Sequence, residues 1–251
     1  MRTGSIVAAE EHSPLAQFAI EPLAPIHIGG LDASFTNSAL WMVIAVGAIT
    51  AFMLLGTRKQ AIVPGRWQSL CEGMYDFVSN LLKENVGNEG RAYFPFIFSL
   101  FMFILFSNVF GLLPGAFTVT SHIIVTVAMA LFVFVGVTII GIVRHGLHFF
   151  TYFVPQGAPV WLIPVMIPIE ILSYFIRPMS LSVRLFANMV AGHVMLAVIG
   201  GFVVAMGVWF GWIPLAFVTV LFGLELLIAC LQAYVFTILT CIYLHDAVHL
   251  H

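Results

Sequence analysis

Glu170, Arg177 and Arg184 recur every seven residues through a stretch that is otherwise almost wholly apolar. Seven residues is close to two helical turns, so the three drift by only about 20° per step and share one helix face. Asn188 follows four residues after Arg184 and stays near that face, about 40° away at 100° per residue. A cation in an apolar helix costs at least about 2.5 to 3.5 kcal/mol on insertion scales, so the row needs a purpose. Glu170 and Arg177 can neutralise each other or snorkel near a helix end. Arg184 lies in the interior, with no acid within a helical turn, and a guanidinium cannot deprotonate in a protein. It is a fixed positive charge that a proton cannot use as a stepping stone.

A second group lies further on. Glu225 and Gln232 repeat the seven-residue spacing, with Tyr234 turned about 200° from Gln232. Glu225 has no cation within a helical turn, which makes its carboxyl a candidate proton relay. His193 is nine residues past Arg184, on the opposite side of a helix, and on a neighbouring antiparallel helix from Glu225 it would form a second proton site. A hydrogen-bonded core residue is the plainer reading of both. His245 and His249 have the i, i+4 spacing of metal ligands with Asp246 and His251 near, but lack an HExxH pattern, so no metal is expected. His122 with His193 as axial haem ligands is a chance pairing of lone histidines. No P-loop, dinucleotide fingerprint or nucleophile elbow is present, so no ATP site and no cofactor are expected on this chain.

These side chains must be held by elements that live in lipid. Of 251 residues, 61% are hydrophobic and 8% charged, whereas a soluble chain is roughly a quarter charged. Fourteen of the twenty charges precede residue 92, leaving Arg144, Glu170, Arg177, Arg184, Glu225 and Asp246 for the rest. An all-α polytopic membrane protein is expected, with the bilayer as solvent. A net charge of −2 without a basic block excludes a nucleic-acid partner. Cys71, Cys230 and Cys241 form no CxxC and read as buried small hydrophobes.

Residues 1–37 mix Pro, Gly and acids and read as an extracytoplasmic segment, with 38–251 as one membrane domain. The first span is 38–56. Arg58, Lys59 and Arg66 follow it at once, and the positive-inside rule puts them in the cytoplasm and the N-terminus outside. Residues 65–86 carry Trp67, Leu70, Met74, Phe77, Val78, Leu81 and Leu82 at helical spacing, with charges between, as an interfacial amphipathic helix does. Spans at 92–113 and 122–143 then return Arg144 to the cytoplasmic side. The stretch 161–210 would be about 75 Å of helix and 212–244 about 50 Å, against a hydrocarbon core of about 30 Å. Such helices must tilt or break, with Pro164, Pro168, Pro178 and Gly200–Gly201 as break points and Gly211 with Pro214 at the turn. The C-terminus falls in the cytoplasm.

The string IEILSYFIRPMSLSVRLFANMVAGH at 169–193, followed by LIACLQAYVFTILTCIYLHD at 227–246, resembles the subunit a family of the rotary ATP synthase membrane sector. SNVFGLLPG at 107–115 extends the likeness, and LQAYVF with YLHD is similar to the α-proteobacterial and mitochondrial branch. The resemblance implies that Arg184 gates the essential carboxylate of a rotating c-ring beside a strongly tilted hairpin, between two offset half-channels. It implies a proton path through Asn188, His193, Glu225 and Gln232, with Glu170 on the cytoplasmic side, Asn108 as outer lining, and Arg177, Ser182 and Tyr234 as supporting polar groups. Many members carry an acid at the position of His193 and a His at that of Glu225, so the pair is exchanged here. The implied partners are the c-ring, b-type peripheral-stalk subunits and the remaining synthase, in a bacterial inner membrane. A stand-alone transporter or channel, and a passive assembly subunit, are the competing classes; the sequence lacks the repeated half-domains of many transporters.

Overall fold

A computed structural model describes residues 20, 22–24, 27–28, 31–32, 34–58, 63–113, 116–146, 149 and 162–249. Most of the expected N-terminal segment, Lys59, Trp161 and His251 lie outside the described residues. Four short strands precede the helices: β1 (Pro22–Ala24), β2 (His27–Ile28), β3 (Leu31–Asp32) and β4 (Phe35–Thr36). β1 pairs antiparallel with β4, and β2 with β3, an arrangement that the Pro- and Gly-rich sequence does not announce.

The helices are α1 (Asn37–Thr57), α2 (Arg66–Val86), α3 (Phe94–Gly111), α4 (Ile123–His145), α5 (Ile163–Ala205), the short α6 (Gly207–Phe210) and α7 (Trp212–Val248). Five helical segments are long and apolar enough to cross a membrane. The fold is that of an all-α polytopic membrane protein. α5 has 43 residues and α7 has 37, about 65 Å and 55 Å at 1.5 Å per residue, each well beyond the hydrocarbon core.

α5 runs through every break point expected within it. Pro164 sits in the first turn, where no intrahelical N–H bond is owed, and Pro168 and Pro178 are carried inside the helix. Gly200 and Gly201 are helical too. The chain turns at Met206, after which Gly207 takes a φ of +62°, a left-handed conformation that residues with a Cβ adopt at a cost. α7 ends at Val248, beyond residue 244, so His245 and Asp246 are helical and not part of a loose polar tail.

By contact the chain divides into two compact units. One gathers the described residues of 1–51, 103–122 and 186–233, the other those of 52–102, 123–185 and 234–251. In the second unit α2 buries Cys71, Val78, Leu81, Leu82 and Val86, whereas Trp67, Leu70 and Phe77 are exposed. Its apolar face therefore serves two surroundings, with one flank in the protein core and the other open. Cys71 lies beside Gly56, with Sγ 3.6 Å from the Phe52 carbonyl. Burial and the neighbouring Glu72 carboxylate push its thiol up from the ordinary range. Cys241 is buried as well, but Cys230 is exposed, contrary to the expectation for all three. A helix bathed in lipid or a partner has no need to turn a small apolar thiol inward.

The second unit also holds an electrostatic clasp. The expected neutralisation of Arg177 by Glu170 is replaced by an ion pair with Asp246 on α7, at 2.9 Å. Residues seven apart on a helix are separated by about 10.5 Å along the axis, too far for direct contact, whereas the end of α7 brings a carboxylate alongside. The guanidinium carbon lies 5.4 Å from the centre of the Tyr243 ring and 6.0 Å from that of Tyr174. Tyr174 donates to Thr138, whose own hydroxyl proton goes to the Phe134 carbonyl 2.7 Å away. Arg144 at the end of α4 pairs with Glu89 before α3, so the two helices form an antiparallel hairpin with its charged closure at one end.

Candidate functional site

Within the first unit, α5 and α7 bring three of the expected polar residues to one cavity. Asn188, His193 and Glu225 line a space of about 170 Å³, along with apolar residues such as Leu112, Met189, Leu224 and Ile228. That volume holds several waters, since one needs about 10 to 15 Å³ by this measure. Both carboxyl oxygens of Glu225 are buried, with no hydrogen-bond partner among the described residues. A polar group so placed is costly unless something mobile satisfies it, and water or a proton in the cavity can.

Glycine makes this approach possible. A Cβ on Gly192 would stand 2.6 Å from Oε1 of Glu225 and 3.0 Å from its Cδ, so Gly192 is where α5 admits the acid. The sequence reading passed over Gly192, although its place directly before His193 is a usable signal.

His193 is held from the other side by Thr118, whose hydroxyl oxygen is 3.0 Å from Nε2 and 3.1 Å from the Gly111 carbonyl. Thr118 belongs to the TVTS run at 118–121, which the sequence reading also missed. Three of its hydroxyls work inward: Thr120 donates to Oδ1 of Asn108 at 2.9 Å, and Ser121 donates to the Thr118 carbonyl at 2.6 Å. A cluster of hydroxyls between two apolar helices is the signal that could have found them. Asn108, fully buried, passes the chain on by donating through Nδ2 to the Ala229 carbonyl of α7 at 3.3 Å. Gln232 is buried on α7, and its Nε2 has no partner among the described residues.

The remaining candidates belong to the second unit. Arg184 is exposed between the buried Leu181 and Leu185, and no acid pairs with it among the described residues. Its immediate neighbour in the row, Arg177, is taken up by Asp246, so the seven-residue repeat contains one clasped and one open cation. Glu170 is half-buried on α5. Ser182 is buried and spends its hydroxyl on the Met179 carbonyl at 2.9 Å, a bond within its own helix. Tyr234 packs its ring 5.9 Å from that of Phe77 on α2, as a helix-packing contact. His245 and His249 stack on each other at 4.6 Å, and the His145 ring meets the Val248 carbonyl at 3.2 Å.

Residues 39–245 match the ATP synthase A chain family. The chain is 59% identical to the ATP synthase subunit a of Parvibaculum lavamentivorans over 242 residues, covering 94% of this chain and 93% of that protein. It is 56% identical over 245 residues to the ATP synthase subunit a of Paramagnetospirillum magneticum, covering 95% and 99%. With that of Rhodospirillum rubrum it shares 54% over 240 residues, covering 96% and 100%.

Proposed function

The chain belongs to the ATP synthase A chain family, and from that premise we propose that Arg184 is a fixed gate facing the carboxylate of a rotating c-ring. Membership implies proton translocation in the membrane sector, as part of the synthase with its other subunits. The gate, the path and the c-ring and b-type stalk partners are our reading.

The observation that carries it is the open cation. Arg184 lies on a helix long enough to cross a bilayer, is exposed, and has no acid of its own chain beside it among the described residues. An unpaired charge in that setting calls for a partner's anion. A carboxylate about 4 Å away, at an effective dielectric of 20, gains about 4 kcal/mol when ionised. It therefore gives up its proton beside Arg184 and must take one back before re-entering lipid. With loading and unloading paths on opposite sides of Arg184, a transmembrane proton gradient becomes net rotation. Each elementary charge crossing 100 mV supplies about 2.3 kcal/mol, so several protons must pass for each ATP.

The cavity between Asn188, His193 and Glu225 supports one half-channel in this reading, with Glu225 and His193 exchanging protons with water. Asn108 and Gln232 contribute polar lining, Glu170 serves the cytoplasmic side, and Arg177, Ser182 and Tyr234 support the helices. The bacterial inner membrane, with the N-terminus outside and the C-terminus in the cytoplasm, follows from Arg58 and Arg144 under the positive-inside rule. In membranes carrying Arg184→Ala, coupled ATP synthesis is expected to be abolished while the complex still assembles. Synthesis near that of the unmodified complex would refute the gate.

A further inference from the structure

We propose that Thr118 is a positioning residue that holds neutral His193 with its proton on Nε2, so that His193 takes up and releases protons through Nδ1. The proposal rests on the reading of His193 as part of the proton path, and adds to it which nitrogen does the exchange and which residue decides it.

The argument is a count of protons and lone pairs. The Thr118 hydroxyl has one proton and lies within bonding distance of two groups, the Gly111 carbonyl at 3.1 Å and Nε2 of His193 at 3.0 Å. A carbonyl oxygen can only accept. If Thr118 gave its proton to the imidazole, its oxygen would face the Gly111 carbonyl lone pair against lone pair, in a part-buried site where such a mismatch is costly. Satisfying both contacts requires the hydroxyl to donate to Gly111 and to accept from Nε2–H. The geometry of Thr118 is itself fixed: the residue is buried, and the Ser121 hydroxyl donates to its carbonyl at 2.6 Å. A Cβ on Gly111 would lie 2.7 Å from the Thr118 methyl, so the loop and the end of α3 meet too closely for the hydroxyl to be displaced.

The consequence is chemical. A neutral imidazole has one donor and one acceptor nitrogen, and a second proton makes both donors. With Nε2–H committed to Thr118, an incoming proton forms its N–H bond at Nδ1 and gives the imidazolium. Loss of that proton breaks the same bond. The Thr118 contact accepts from Nε2–H in both states, so the ring cycles without reorienting. A ring held from Nε2 cannot pass a proton through by taking it on one nitrogen and releasing it from the other.

The test is nitrogen-15 magnetic resonance of the assembled complex in lipid, labelled on histidine, with the His193 signal identified by its loss in His193→Gln. The neutral ring is expected to carry its proton on Nε2, to keep it there in Thr118→Ser, and to become a mixture of tautomers in Thr118→Val. Proton-driven ATP synthesis should fall roughly 2- to 10-fold in Thr118→Val, the worth of one hydrogen bond, and recover in Thr118→Ser. A proton on Nδ1 in the unmodified complex, or an unchanged tautomer in Thr118→Val, overturns the proposal. If Thr118→Val does not assemble, the unmodified complex and Thr118→Ser decide it alone. Proton passage left intact by His193→Ala would instead refute the path through His193, and the tautomer measurement separates the two failures.

Discussion

Gly192→Ala isolates the meeting of α5 with Glu225, because the added methyl has one obvious collision. Its carbon would sit 2.6 Å from Oε1, 3.0 Å from Cδ and 3.3 Å from Cγ of Glu225. A carbon–oxygen contact relaxes near 3.4 Å, so the carboxyl or the helices must move by roughly 0.8 Å, and overpacking of this kind costs about 1 to 3 kcal/mol. If the displaced group is the one that exchanges the proton, that cost falls on its working position and slows proton passage roughly 5- to 150-fold. The assay is gradient-driven ATP synthesis and passive proton conduction in membrane vesicles, with the amount of assembled complex measured in parallel. Glu225→Asp shortens the acid by one methylene and withdraws it from the new methyl, so the double variant should recover part of the loss, with a coupling energy of about 0.5 kcal/mol or more. Full conduction in Gly192→Ala, or strict additivity of the two substitutions, would refute the claim that the contact limits proton movement.

Two further expectations concern the second unit. Asp246→Asn removes the charge facing Arg177 in a pair whose side chains are 31% and 28% exposed, and should lower the thermal stability of the assembled complex by about 1 kcal/mol; exchanging the two residues restores part of it, and unchanged melting in Asp246→Asn counts against the clasp. Burial and Glu72 hold the Cys71 thiol above its ordinary range, so its thiolate appears only as pH rises past that range. In a complex carrying Cys230→Ser and Cys241→Ser, maleimide labelling should be slow at neutral pH and still rise about tenfold per pH unit around the usual thiol value, whereas a plateau there contradicts a raised thiol.

What could be read from the sequence follows from what lipid demands. Apolar runs long enough to span announced the helices, and the rarity of charge drew attention to Arg184 and Glu225 before any coordinates. The connections were harder to read. Pro168 and Pro178 promise breaks, yet the helix absorbs both and turns at Met206–Gly207, because a proline removes one hydrogen bond without dictating where a chain reverses. Arg177 was matched to the acid on its own helix, and its partner lies 69 residues away on another. Spacing along a helix reports which face a residue shares and is silent on what that face meets. Thr118 and Gly192 escaped notice for a related reason, since a hydroxyl or a missing side chain acquires meaning only from the neighbour that approaches it.

The amide of Asn108 also bears on how the protein is made. Its acceptor, the Ala229 carbonyl, is 121 residues further along the chain. While α3 is already in the bilayer and α7 has yet to emerge from the ribosome, that amide lacks its final acceptor in a solvent that supplies none. Arrival of α7 closes the bond, and only one alignment of the two helices places that carbonyl opposite Nδ2. An immature chain thus differs from a finished one by an unsatisfied polar group in the membrane, a chemical mark of incompleteness that disappears when the last helix is seated.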